Sequence, residues 1–266
     1  MKQNICLGVT ALLLVGGLLL PPRTEAATIS NETLTNAIEK VLQERPDLIL
    51  DILRKNSEAV LDIAQQGSNL RRKHNLEAQW KEDVKKPRQV RLDGRPVLGP
   101  KDAKIKMVAF SDFTCHFCEQ ASKTVDKLLN EFPNEINLTF KHMPLDEKGP
   151  GGIASAYFIA IAQQDENKAW EFYKKMFAHR ENLLADGEPF IKKTAKELDL
   201  DMKKLEKDVK GKKVKEIMTE DQEDAQKLGV EGTPYFLVNN LVVRGALPPE
   251  LFRNAIEMAK NNPVQH

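Results

Sequence analysis

The feature that most constrains this chain is Cys115-His-Phe-Cys118, two thiols three residues apart. Once the leader-like first 26 residues are set aside, and Cys6 with them, these two cysteines remain. With no other sulfur to pair with, they read as a redox couple rather than a structural staple. A disulfide across so short a loop removes little entropy from the unfolded chain and would stabilise it weakly. The segment before them, Lys104-Ile-Lys-Met-Val-Ala-Phe110, reads as a strand. The segment after them, Glu119 to Leu129, places Val125, Leu128 and Leu129 on one helical face. At such a strand-to-helix junction the first cysteine meets unpaired N–H groups and a partial positive charge, and both stabilise a thiolate.

Residues 1–26 read as a secretory signal. Lys2 supplies a short positive region and Ile5 to Leu20 is uncharged and mostly apolar. Pro21 and Pro22 end the run, and cleavage sites follow near Ala26 or Ala27. The run falls short of the about 20 residues a membrane span needs. Cys6 sits at its start rather than after it, which does not suit lipid attachment. The expectation is export to an oxidising compartment, the periplasm, where a dithiol meets disulfides to make or rearrange. The chain carries 40 basic and 39 acidic residues, and removing Lys2, Arg23 and Glu25 leaves 38 of each. A balanced chain without a basic block has no electrostatic reason to bind nucleic acid or anionic lipid.

Residues 28–87 read as a helical region and linker. Leu34, Ile38, Val41 and Leu42 line one short helix, and Pro46 fits the first position of a second. Pro46-Asp-Leu-Ile-Leu-Asp-Ile-Leu53 is echoed eleven residues later by Ser57-Glu-Ala-Val-Leu-Asp-Ile-Ala64, two copies being too few for a solenoid. Gly67-Ser-Asn reads as a break before a charged helix carrying Leu76 and Trp80. Helices with apolar stripes but little mass need a partner surface, either the main domain or a second copy of the chain, and the second copy is favoured. The main domain is expected over 88–264, with Gln89-Val-Arg-Leu92 as its first strand. Ile136 to Phe140, Tyr235 to Val238 and Leu241 to Val243 read as further strands, the last two joined at Asn239-Asn240. Between them, roughly residues 146–228, lies a helical insert, and a final helix runs from Pro248 to Lys260.

This order of elements, with Phe110-Ser-Asp-Phe-Thr-Cys115, Phe140-Lys-His-Met-Pro-Leu145, Gly229-Val-Glu-Gly-Thr-Pro-Tyr-Phe236 and Gly245-Ala-Leu-Pro, resembles the DsbA-like thiol-disulfide oxidoreductases. The resemblance implies an α/β, thioredoxin-like fold with a helical insert, preceded by an all-helical extension. The extension resembles those of dimeric DsbA-type proteins and of the trimeric copper-sensitivity suppressor C group. A homo-oligomer is implied, a dimer ahead of a trimer. By this resemblance Cys115 is the nucleophile and Cys118 resolves the mixed disulfide, so that a redox-active Cys115–Cys118 disulfide is the only redox group needed. Thr233-Pro234 looks like the cis-proline loop that presents backbone groups to an extended substrate. His116, if protonated, would stabilise the Cys115 thiolate, and with Phe117 would set the redox poise. The implied partners are unfolded or wrongly bridged exported proteins and a membrane redox partner of the DsbB or DsbD kind. The helical insert leans toward DsbA-like oxidation, whereas Thr-Pro and an aromatic dipeptide residue lean toward isomerisation.

A copper- or zinc-binding protein using the same pair is the alternative, since soft thiolates suit Cu(I). No second Cys-x-x-Cys completes a four-sulfur zinc site, so no metal is expected. Asp112 reads as a structural strand end and His142 as a packing residue. His74 and His179 read as solvated, and Trp170, Phe172, Tyr173, Met176 and Phe177 as core of the insert.

Overall fold

The computed structural model describes residues 30–262. The expected signal peptide and Cys6 lie outside them. Contacts divide the chain into two compact units, one up to Gln65 and one from Gln66.

In the first unit, Ser30 caps α1 (Asn31–Glu44) by accepting the Thr33 N–H at 3.1 Å. Pro46 opens α2 (Pro46–Lys55), where its missing N–H has no helical partner to lose. Neither helix buries a residue; Leu34, Ile38, Leu50, Ile52 and Leu53 remain exposed. Helix α3 (Ser57–Asp83) runs through Gly67 without the break expected there. A glycine inside a helix weakens it by only about 1 kcal/mol.

The second unit is built on a five-stranded mixed sheet in the order β1-β3-β2-β4-β5. Its strands are β1 (Val97–Leu98), β2 (Ile105–Ser111), β3 (Ile136–His142), β4 (Tyr235–Val238) and β5 (Leu241–Arg244). Strands β2 and β3 are parallel; the β1–β3, β2–β4 and β4–β5 pairs are antiparallel. Asn239 takes φ 52° in the β4–β5 turn, a left-handed position that Asn tolerates. Gln89 to Leu92 is not a strand. The Arg91 N–H donates to the Asp224 carboxylate at 2.8 Å, so a side chain on a distant helix takes the bond a neighbouring strand would need.

Helices α4 (His116–Glu131) and α11 (Pro249–Asn261) flank the sheet. Between β3 and β4 come α5 (Pro150–Ala162), α6 (Glu166–Ala178), α7 (Arg180–Asp186), α8 (Glu188–Lys196), α9 (Met202–Val209) and α10 (Lys212–Lys227). Helices α9 and α10 are separate because the chain turns at Gly211, where an added Cβ would press on the Asp208 carbonyl at 2.8 Å. Phe113, Phe140, Phe158, Tyr173 and Phe177 form an aromatic core between sheet and insert. A smaller core of Val108, Phe110, Tyr235, Leu237 and Val242 gathers apart from it, with Ala225 of α10.

The end of α3 lies in this second unit. Trp80 is fully buried, and its indole N–H donates to the Val242 carbonyl at 2.8 Å. The Val242 N–H donates to the Asp83 carboxylate at 3.1 Å. Strand β5 is a sheet edge, and α3 takes up backbone groups that would otherwise invite pairing with another chain. Among the described residues, no helix is long and apolar enough to cross a membrane.

Candidate functional site

Strand β2 ends at Ser111 and the chain turns through Asp112-Phe-Thr before α4 begins. Asp112 is fully buried and holds this turn. Its carboxylate accepts from the Thr114 N–H and hydroxyl, both at 2.8 Å, and from the Leu145 N–H at 3.0 Å. Arg180 adds a bond from its Nε to the Thr114 carbonyl at 2.7 Å. The turn is therefore fixed on both sides, and it delivers Cys115 to the N-cap of α4, with extended φ and ψ of −76° and 124°.

The two thiols, both free, sit in different environments. Cys115 is half-buried, and its pKa falls from an ordinary 9.0 to about 5. The hydrogen bond from Cys118 is the main cause; burial opposes it, and the Thr233 side chain and the backbone N–H groups of Cys118 and Phe117 add to it. Cys118, one turn into the helix, is 1% exposed. Burial pushes its thiol far up, and the neighbouring Cys115 sulfur adds to the effect. At neutral pH the pair therefore holds one half-buried anion and one buried proton.

The Thr233–Pro234 peptide is cis. Thr233 faces the dithiol, and its carbonyl oxygen lies 3.6 Å from the Cys115 sulfur. Residues 118 positions apart thus meet at one sulfur. Gly245, with φ 82°, donates its N–H to the Pro234 carbonyl at 2.8 Å and ties this loop to the end of β5. Phe117 is 59% exposed. The His116 ring sits 3.7 Å from the Glu119 carboxylate and 2.9 Å from the Gln120 amide nitrogen. The groups that lower the Cys115 pKa do not include His116.

Some residues at the site carried no sequence signal. A cleft of about 460 Å³ opens beside Phe117 and Thr233, lined also by Arg72 and Leu76 of α3 and by residues 244–247. Only the fold brings α3 there; a helix register in the sequence could show Leu76 as apolar but not what it faces. His142 is 1% exposed, packed against Phe140 and Phe158, and burial holds its imidazole well below its ordinary pKa. Among the described residues no group of three or more His, Cys, Asp or Glu side chains is placed to hold a metal ion.

A mixed sheet with a Cys-x-x-Cys pair at a helix start, facing a Thr–Pro loop before the next strand, defines a thioredoxin-fold protein. The family model described as thioredoxin matches residues 91–258, and the chain belongs to that family. It is 31% identical over 163 residues to Na(+)/H(+) antiporter NhaA 1 of Salinispora arenicola, covering 61% of this chain and 24% of that protein. It is 31% identical over 149 residues to probable disulfide bond formation protein D of Bacillus cereus, covering 53% of this chain and 68% of that one. The chain thus spans about a quarter of the antiporter's length. Among solved structures it is similar to a thioredoxin-like oxidoreductase from Silicibacter pomeroyi DSS-3. There the TM-score is 0.57 at 26% identity, over 64% of this chain and 94% of that one.

Proposed function

We propose that the protein is an exported, periplasmic thiol-disulfide oxidoreductase that forms or rearranges disulfides in envelope or secreted proteins. One observation carries the reading: of two adjacent sulfurs, the accessible one is acidic and the buried one is not. Cys115 is then the attacking group in the reduced protein. Its thiolate attacks one sulfur of a substrate disulfide, the S–S bond breaks, and the other substrate sulfur leaves as thiolate and takes up a proton. The mixed disulfide has two fates. If a second substrate thiolate displaces Cys115, the substrate is isomerised and the dithiol is regenerated. If Cys118 loses its proton and attacks Cys115, the substrate leaves reduced and a Cys115–Cys118 disulfide forms. Run backwards from that disulfide, the same steps oxidise a substrate dithiol. The low Cys115 pKa makes it a good leaving group and favours this oxidising direction. Thr233 and Pro234 hold the substrate strand beside the sulfur, and Phe117 gives it an apolar surface. A membrane partner of the DsbB or DsbD kind would reset the dithiol.

The test is refolding of reduced and of scrambled ribonuclease with the intact protein and with Cys115→Ser. Recovery should depend on Cys115 in both assays; a variant as active as the parent would end the proposal. The exposed Leu and Ile of α1 and α2 support a homo-oligomer, a dimer ahead of a trimer. Deleting residues 30–65 should lower the number of subunits measured by light scattering, and an unchanged number would exclude that role.

A further inference from the structure

The cleft beside the dithiol has a chemical character of its own. Its apolar wall is Leu76, Phe117, Ala246 and Leu247, and its charged side chains are Arg72 and Arg244; no carboxylate lines it. Both arginines are exposed, and neither is in an ion pair among the described residues. Arg244 is held in place: its guanidinium lies 5.6 Å from the Tyr235 ring centre and its NH1 donates to the Gln79 side chain at 3.4 Å. Thr233 lines the same cleft, and its carbonyl is 3.6 Å from the Cys115 sulfur. Whatever enters the cleft therefore lies within a residue or two of the reacting atoms.

We propose that this cleft selects substrates: it takes an extended polypeptide segment with an apolar residue next to its cysteine and a carboxylate just beyond, read by Arg72 and Arg244. The inference rests on the exchange chemistry proposed above and adds a preference to it. Charge is the argument for the occupant. A negative substrate approaching the Cys115 thiolate is repelled by it, so a preference for acidic segments needs compensating cations at the site, and two unpaired arginines supply them. Rim charges act mainly on the rate of encounter and are weakened by salt. The apolar wall supplies the rest, and α3 contributes one residue of each kind.

The experiment uses the reduced full chain and the symmetrical disulfides of three peptides. These differ only in whether glutamate, glutamine or lysine stands two residues from the cysteine, with leucine between. The rate of oxidation of the Cys115–Cys118 dithiol is followed by acid quench and mass spectrometry. One charge-assisted rim contact changes a rate by about five-fold at most, so the glutamate peptide should react about five- to tenfold faster than the lysine peptide at low salt. The ratio should shrink toward one in ~0.5 M salt. Arg72→Glu with Arg244→Glu should invert the order. Hydroxyethyl disulfide, small and neutral, reports the chemistry separately. Equal peptide rates with normal reaction of hydroxyethyl disulfide would overturn the selection and leave the exchange reading standing. No reaction with hydroxyethyl disulfide would overturn both. A peptide rate that falls as the protein is concentrated, with no charge preference, would show a second copy filling the cleft and overturn the selection as well.

Discussion

The acidity of Cys115 couples the stability of the reduced protein to pH. In the reduced folded protein its pKa is about 5, against an ordinary 9.0. A group whose folded pKa is depressed stabilises the fold most above the unfolded pKa, and this stabilisation is lost as pH falls through the folded value. Each pH unit between the two is worth about 1.36 kcal/mol. At pH 7 the reduced form therefore gains up to about 2.7 kcal/mol, less whatever solvent screening removes at a half-buried sulfur. The oxidised form has no thiolate and gains nothing. Favouring the reduced form by that amount raises the reduction potential by about 60 mV. Urea unfolding of both forms between pH 4 and pH 9, with thiolate absorbance at 240 nm, measures the effect. The gap between reduced and oxidised stability should widen steadily from pH 5 upward. Absorbance should show a midpoint near pH 5 that Cys115→Ser removes. A midpoint above about pH 8, or parallel pH profiles for the two forms, would refute the argument.

Other expectations follow from single contacts. Trp80→Ala empties a fully buried site and leaves the Val242 carbonyl with the Gln79 amide as its side-chain donor, and should cost about 3–5 kcal/mol in urea unfolding; a loss under about 1 kcal/mol would mean α3 is not docked on β5. His116→Ala should move the Cys115 titration by less than about half a unit, because the imidazole is engaged by Glu119 and Gln120. A larger rise would support the tuning role expected from the sequence. Lys141→Met leaves Asp221 and Asp224 short of a buried cation and should cost about 3–5 kcal/mol, with Lys141→Met/Asp221→Leu recovering part of the loss. Strict additivity of the two single variants would argue against direct coupling.

Strands β2 to β5 and the dithiol helix were legible because their signals are local, whereas the two-residue β1 is too short to show alternation. Alternation marks Ile136–Phe140, and the Val125, Leu128 and Leu129 stripe marks α4. Where the sequence misled, the deciding partner was distant. Gln89–Leu92 has strand composition, but Asp224, more than 130 residues on, takes the Arg91 N–H. Gly67-Ser-Asn has loop composition, yet α3 continues through it to dock Trp80 on Val242. The short α7, seven residues between neighbouring helices, has too few turns to show a period. At the site, Cys115, Cys118, Thr233 and Pro234 could be named from motifs, whereas Arg72, Leu76 and Arg244 belong to no motif and gather only through the fold.

One buried ionic cluster links these observations to the chemistry. Lys141, on β3, is fully buried and contacts Asp221 at 2.8 Å and Asp224 at 2.7 Å. Arg95 meets Asp221 at 2.6 Å and Arg91 meets Asp224 at 2.9 Å. Burying such charges carries a desolvation cost that their attraction barely offsets, so net stability is a weak reason for the cluster. Position is a better one. Asp221 also accepts the His142 N–H at 2.7 Å, and His142 pairs in register with Ser111 at the end of β2, one turn from Cys115. Asp224 lies near the end of α10, from which the chain turns at Gly229, φ 64°, and reaches Thr233 four residues later. The same carboxylates thus fix the strand end that delivers the cysteine and the helix that delivers the loop facing it. A 3.6 Å meeting between residues 118 positions apart needs both to be held against one frame, and charge pairs with strict geometry hold it better than apolar contacts that can slide.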